Sequence, residues 1–223
     1  MLDFHSHILY DMDDGAKTIE ESLKLLNKQE EEGVDTLVLT PHFYALYEDM
    51  ESFLKRRELR YRELKESYKG SIKMLLGSEV YYFPNIERNE DVDKLCIEGT
   101  DLLLLELPYS NRIDLNKVLI LNQRLQVVLA HIERYLHFYS EEEILKLVNN
   151  GIYLQMNIED LVYEDEFMKS LIEKGYIHFL GSDSHNLTYR IPNMSVAKRY
   201  FELNYSQRFL NELDTRAKEL LGI

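Results

Sequence analysis

Short apolar runs recur along the chain, and most are followed by a longer segment that mixes charged and apolar positions at helical spacing. The first run, Leu2-Asp3-Phe4-His5-Ser6-His7, predicts a strand that begins almost at the first residue. Side chains alternate along a strand, so His5 and His7 point the same way. Thr18, with Glu21 three residues on, predicts a capping box for a helix over 19–32, with Leu23, Leu26 and Gln29 near one face and Gly33 as its stop. A second strand covers 35–40 and ends at Pro41, with His42 next. The long charged helix over 50–68 reads as a solvated face. A third strand covers 72–78, and the stretch 85–98 is helical or irregular. A fourth strand covers 101–105, and Asp114 caps a helix to about Arg124. A fifth strand covers 126–130. Ser140 and Glu143 form a capping box for a helix that ends at Asn149-Asn150-Gly151. A sixth strand covers 152–156, a helix runs over 164–174 to Gly175, and a seventh strand covers 176–181. Two further helices span about 192–203 and 206–221.

Strand and helix thus alternate about seven times, with no linker, low-complexity tract or composition break. Continuous apolar strands between helices mean a parallel sheet covered on both faces. Seven units predict one domain over 1–223, a TIM-like α/β barrel one unit short; an open doubly wound sheet is the alternative.

Composition narrows the function. A chain of 223 residues with 45% apolar content suits one domain of this size. A net charge of −14 argues against a nucleic-acid binder, which carries a basic stripe. Cys96 is the single cysteine, so no internal disulfide forms, which fits a reducing cytosol. No apolar run approaches the roughly 18 residues of a membrane span. Asp3 and two histidines at the N-terminus do not read as a signal peptide.

The candidate chemistry lies in what ends each strand. His5 and His7 end the first, His42 the second, Glu79 the third, Glu106 the fourth, His131 the fifth, and Asp183 with His185 the seventh. The sixth ends in Asn157, which is no strong ligand. In parallel α/β folds these ends share one face, the face that holds the active site. Alone, each residue reads as an ordinary cap or hydrogen-bonded side chain; together they predict a metal centre. Buried Glu79 and Glu106 would be costly unless paired or metal-bound. The loop Asp11-Met12-Asp13-Asp14-Gly15 reads either as a solvated turn or as a further carboxylate at the cleft. His137 and His178 fall outside the pattern and read as structural or surface residues. Mixed imidazole and carboxylate donors suit Mn, Fe or Zn, and the donors are enough for two or three ions.

These motifs resemble the PHP (polymerase and histidinol phosphatase) superfamily. The set is His5-x-His7, Thr40-Pro41-His42, Gly77-Ser78-Glu79, Glu106, the block Ala130-His131-Ile132-Glu133-Arg134-Tyr135, and Ser182-Asp183-Ser184-His185-Asn186. Within it the chain is most similar to the bacterial manganese-dependent protein tyrosine phosphatases of capsule and exopolysaccharide operons. The resemblance covers essentially the whole chain. It implies a distorted (β/α)7 barrel, the PHP fold, with a trinuclear centre of Mn2+, or alternatively Fe, Co or Zn. It implies that His5, His7, Glu79 and Asp183 hold the first ion. Glu79 bridges to a second with Glu106 and His131. Asp14, His42 and His185 hold the third, with Asp11 and Asp13 as rivals of Asp14. Arg134, and less closely Arg190, match arginines at the substrate phosphate; the segment 186–192 lacks the glycine before arginine found in relatives. The resemblance further implies a cytoplasmic enzyme hydrolysing phosphotyrosine on a bacterial tyrosine autokinase. Metal-activated water attacks the phosphorus, and Asp14 is a candidate proton donor. No Cys-x5-Arg signature accompanies Cys96, so no phospho-enzyme is expected. The rival readings are a phosphatase for a small molecule such as histidinol phosphate, a metal-dependent amidohydrolase, and a non-catalytic metal-binding regulator. An amidohydrolase usually needs a bridging lysine where Glu106 stands. The oligomeric state is left open.

Overall fold

The computed structural model describes residues 1–162 and 165–223. Its strands are β1 (Leu2–Ser6), β2 (Thr36–Leu39), β3 (His42–Phe43), β4 (Lys73–Leu76), β5 (Glu79–Tyr81), β6 (Leu102–Glu106), β7 (Gln126–Leu129), β8 (Tyr153–Asn157) and β9 (Phe179–Gly181). All their pairings are parallel, in the orders β1-β2-β4 and β3-β5-β6-β7-β8-β9.

Two of the seven expected strands are each followed, past a break, by a further short strand outside the expected bounds. Pro41 has no N–H to give a ladder, and the break after β2 falls there. The facing strand breaks at Gly77-Ser78. Gly77 N–H bonds Leu39 O at 2.8 Å and Glu79 N–H bonds Pro41 O at 3.0 Å, carrying the pairing across both breaks. On the other side His7 N–H bonds Ser184 O at 2.9 Å and Asp183 N–H bonds His5 O at 2.8 Å. These bonds bring β9 round to β1 and complete a distorted seven-stave α/β ring.

The ring interior is apolar at one end. Leu2, Phe4, Val38, Leu104, Val128 and Phe179 fill it, with Ala217 and Leu221 plugging the base. Phe4 and Phe179 stack at 3.8 Å between ring centroids. Strict alternation from Leu2 and Phe4 would send His5 outward. The β1–β2 register shifts between Asp3 and Ser6, and across this irregularity the two histidines turn to the mouth.

The helices are α1 (Ile19–Glu31), α2 (Met50–Ser67), α3 (Leu115–Asn122), α4 (Glu141–Asn149), α5 (Glu166–Glu173), α6 (Met194–Asn204) and α7 (Gln207–Leu220). Ser140 and Glu143 form a complete capping box. At α1 only half a box forms: Thr18 accepts from Glu21 N–H, but the Glu21 carboxylate takes Lys17 N–H. The expected start of α5 at Glu164 lies outside the described residues; Asp165 caps the helix.

The solvated face expected of α2 is present, with Glu51, Lys55, Glu58, Arg62, Lys65 and Glu66 exposed, but three of its arginines depart from it. Arg57 is buried, donating to Gly77 O at 3.2 Å and to Ser78 Oγ at 2.6 Å, so it clamps the break that leads into Glu79. Arg56 donates to Asp11 O and Met12 O, and Arg60 pairs with Asp11 at 2.6 Å. A charge-dense helix and a solvated helix look alike in sequence. What separates them here is that the arginines meet backbone carbonyls and acids of other segments.

His178 gives a stability test. Its Nδ1 accepts Leu154 N–H at 3.2 Å, and burial brings its pKa down from an ordinary 6.5 to about 4. The folded protein therefore favours neutral imidazole. Its contribution is complete above pH 6.5 and fades as pH falls toward 4, because only the unfolded chain binds the proton in that window. Relative to His178→Gln, the native protein should lose roughly 1–2 kcal/mol between pH 7 and 4, after allowance for partial exposure. Denaturant melts of both proteins at each pH check this.

Candidate metal centre

The strand ends converge at the ring mouth. His5 Nε2 and His7 Nε2 lie 3.1 Å apart. Each is 3.2 Å from Glu79 Oε2, and Asp183 Oδ1 is 3.7 Å from His5 Nε2 and 3.3 Å from His7 Nε2. On the far side of Glu79, His131 Nε2 is 2.8 Å from Oε1 and 3.6 Å from Glu106 Oε1. His42 Nδ1 lies 2.9 Å from Glu79 Oε2. Asp14 Oδ1 lies 3.2 Å from His185 Nε2 and 3.7 Å from His42 Nε2. All nine side chains predicted as ligands thus meet in one cluster.

Three features show that this donor set fits cations. Gln155 Oε1 takes the Nδ1 proton of His5, and Asp13 Oδ2 takes that of His7 at 2.7 Å. Both Nε2 lone pairs therefore face each other, which is repulsive unless a positive charge lies between them. Glu79 Oε2, Glu106 Oε2 and Asp183 Oδ1 are buried oxygens without a hydrogen-bond partner. The charges also conflict: burial opposes ionisation of Glu79, but His5 and His42 hold it well below the usual carboxylate range. Burial and that same Glu79 charge then push Glu106 up. Burial brings His131 down to about 4, leaving it neutral as a ligand must be. Buried acids of this density need cations to share.

His131 and Asp183 both adopt left-handed backbone, at φ 32° and 49°. Such strain at strand ends re-aims side chains and collects at functional sites. Gly181 permits the close approach: a Cβ there would stand 2.5 Å from His5 Cβ and 2.8 Å from Gln155 Nε2.

The acidic loop divides its labour. Asp14, 66% exposed at its side chain, faces the cluster, and the His185 hydrogen bond holds its carboxyl well below the usual range. Asp13 is buried behind His7 and also accepts His42 N–H at 2.8 Å. Asp11 turns away to Arg60.

The two predicted arginines arrive together. Arg134 Nη2 donates to Asp183 Oδ2 at 2.8 Å and Arg190 Nη2 does so at 2.5 Å. Arg190 is set by Asn186, whose Oδ1 accepts the N–H groups of Thr188, Tyr189 and Arg190. Cys96 is buried, and burial pushes its thiol up to about 12, which unfits it as a nucleophile.

Sequence reasoning missed the outer layer. The sixth stave supplies Gln155 and Asn157, not ligands but holders. Gln155 Oε1 also accepts His131 N–H at 2.7 Å, and Asn157 Nδ2 donates to Asp183 Oδ2 at 3.1 Å. Tyr109 donates to Glu106 Oε1 at 2.5 Å and accepts from Arg134 at 3.0 Å. The one available signal was two amides at alternate positions of an otherwise apolar buried strand. Gln155→Leu should weaken metal affinity roughly 10- to 100-fold by freeing the His5 ring and the His131 backbone. Competition with a metal-binding dye measures it; unchanged affinity would remove Gln155 from this role.

A parallel α/β ring with this donor cluster at its carboxyl mouth defines a PHP-type barrel fitted for metal ions. The chain belongs to the family described as "Capsular polysaccharide synthesis, CpsB/CapC", whose model matches residues 1–221. It is 28% identical to the tyrosine-protein phosphatase CpsB of Streptococcus agalactiae serotype III, over 96% of this chain and 94% of that protein. It is 30% identical to the putative tyrosine-protein phosphatase CapC of Staphylococcus aureus, over 98% and 89%. Among solved structures it superposes at a TM-score of 0.81, with 24% identity over 99% of this chain and 94% of the other. That match is in the work on YwqE from Bacillus subtilis and CpsB from Streptococcus pneumoniae, described as unique metal-dependent tyrosine phosphatases. Among the described residues no helix is long and apolar enough to cross a membrane.

Proposed function

We propose that residues 1–223 act as one metal-dependent protein tyrosine phosphatase domain, with a tyrosine-phosphorylated bacterial autokinase of capsule synthesis as substrate. The observation that carries this reading is the convergence of Arg134 and Arg190 on Asp183, at the edge of a cluster of His and carboxylate donors. Arginines so placed present paired N–H donors to a phosphate beside the ligands.

His5, His7, Glu79 and Asp183 would hold one ion, Glu79, Glu106 and His131 a second, and Asp14, His42 and His185 a third. The donor chemistry suits Mn2+, with Fe, Co and Zn as alternatives. When bound, the ions supply Lewis acidity at the phosphoryl oxygens and acidify water near neutral pH. Arg134 and Arg190 orient the phosphate and stabilise charge on its non-bridging oxygens. Asp13 and Gln155 hold the imidazole tautomers that leave Nε2 of His7 and His5 free. Asp14, kept ionised by His185, serves as a ligand in preference to a proton donor. A phenolate leaves readily, so weak acid assistance suffices. The lone buried thiol of Cys96 supports a cytoplasmic setting.

The test is hydrolysis of a phosphotyrosyl peptide and of histidinol phosphate by chelated protein reloaded with Mn, Fe, Co or Zn. Peptide turnover that follows one of the metals and exceeds that of histidinol phosphate is expected. Preference for histidinol phosphate would replace this reading with the small-molecule one.

A further inference from the structure

We propose that the cleft walled by Tyr44 and Tyr47 receives the aromatic ring of the phosphate ester, so that these two side chains select aryl over alkyl phosphates. The inference rests on the phosphatase reading of the metal centre and names the part of the substrate that the centre itself does not touch.

The cleft has a volume of about 550 Å³ and is lined by Met12, Asp14, His42, Tyr44, Tyr47 and Arg56, among others. Its floor is therefore part of the donor cluster, since Asp14 and His42 belong to the third ligand group. Whatever fills the cleft lies against that group. Its wall is aromatic: the Tyr44 ring centroid is 4.9 Å from His42, 5.4 Å from Tyr81 and 5.9 Å from Tyr47. Tyr47 is 86% exposed, a large ring whose open face borders a charged centre. Aromatic pairs gain from offset or edge-to-face contact, the packing that a substrate phenyl ring would complete here.

The wall is built in advance. Tyr47 N–H and Glu48 N–H both bond Tyr44 O, at 2.9 and 3.2 Å, closing a tight turn after β3. The Glu48 carboxylate pairs with Arg56 at 2.5 Å. Arg56 also donates to Asp11 O and Met12 O, so α2 locks the turn to the acidic loop. A pre-set slot spares the ordering that a floppy loop would need.

A second cavity, of about 600 Å³, opens beside Arg134. Three carboxyl side chains, Glu133, Asp160 and Asp165, line it. The tyrosine cleft also has three, Asp13, Asp14 and Glu48, but each is paired there with a basic partner, His7, His185 and Arg56. The slot also explains how a centre that could cleave many phosphoesters comes to prefer one: an alkyl group leaves the rings uncovered, and an aryl ring fills them.

Two ligands on metal-loaded protein separate the ring from the phosphate. Inorganic phosphate probes the centre alone, and phenylphosphonate probes centre and slot together. In Tyr47→Ala, phenylphosphonate affinity should fall roughly three- to tenfold while phosphate affinity stays within about twofold. Tyr47→Phe should bind both as the native protein does. Tyr47 is largely exposed, so its loss leaves the fold intact, which a thermal melt verifies. An equal change for both ligands, or no change for phenylphosphonate, overturns the inference. These measurements need no turnover. Native protein that binds phenylphosphonate through Tyr47 but cannot hydrolyse phosphotyrosyl peptide would sink the phosphatase reading and leave the slot standing.

Discussion

Glu79→Gln is expected to lower kcat/KM toward a phosphotyrosyl peptide by roughly a thousandfold or more, about 4 kcal/mol of transition-state stabilisation. Glu79 reaches His5 and His7 at 3.2 Å each, His42 at 2.9 Å and His131 at 2.8 Å. It sits where all three proposed ligand groups meet. The amide keeps the shape but gives up the negative charge and one acceptor. The four imidazoles then have no shared anion, and the proposed bridge between two ions is gone. Bound metal should drop alongside activity, read by elemental analysis of dialysed protein. A Glu79→Gln protein with native metal content and native rate would mean that the centre is not built around this residue.

The second large effect falls on the arginines. Arg134→Met and Arg190→Met should each lower kcat/KM roughly 30- to 300-fold, because each removes charged donors at developing negative charge. Methionine keeps much of the apolar stem, so the loss reports the guanidinium. The double variant should fall short of the product of the two. Both side chains bond one atom, Asp183 Oδ2, and residues that share a partner couple. Inhibition by inorganic phosphate should weaken in parallel. Single variants that leave phosphate inhibition untouched, or losses that multiply fully, would place the two arginines in separate roles.

The outcome at Asp14 and Arg190 shows where sequence reading reaches its limit. Three aspartates lie within four residues, each with the same chemistry. Only folding separates them: Asp14 toward His185, Asp13 behind His7, Asp11 out to Arg60. Arg190 matched a motif loosely, and the Asn186 cap that sets it is a hydrogen-bond pattern with several sequence solutions. Gln155 and Asn157 were passed over because amides are poor ligands, yet they aim the side chains that are good ones. Arg57 was read as solvated because its burial depends on where Gly77 and Ser78 come to lie.

What the sequence by itself determined is the alternation of apolar strands with capped helices, and the histidine or acid at six of the seven strand ends. Those follow from local rules: side-chain period, capping chemistry, and the shared face of parallel strand ends. Only the tertiary structure decided the pairing that continues across the two strand breaks, the register shift that turns His5 to the mouth, and the identity of the residues that hold the ligands. Each of these depends on contacts between segments far apart in the chain, and no local pattern of residues encodes such a contact.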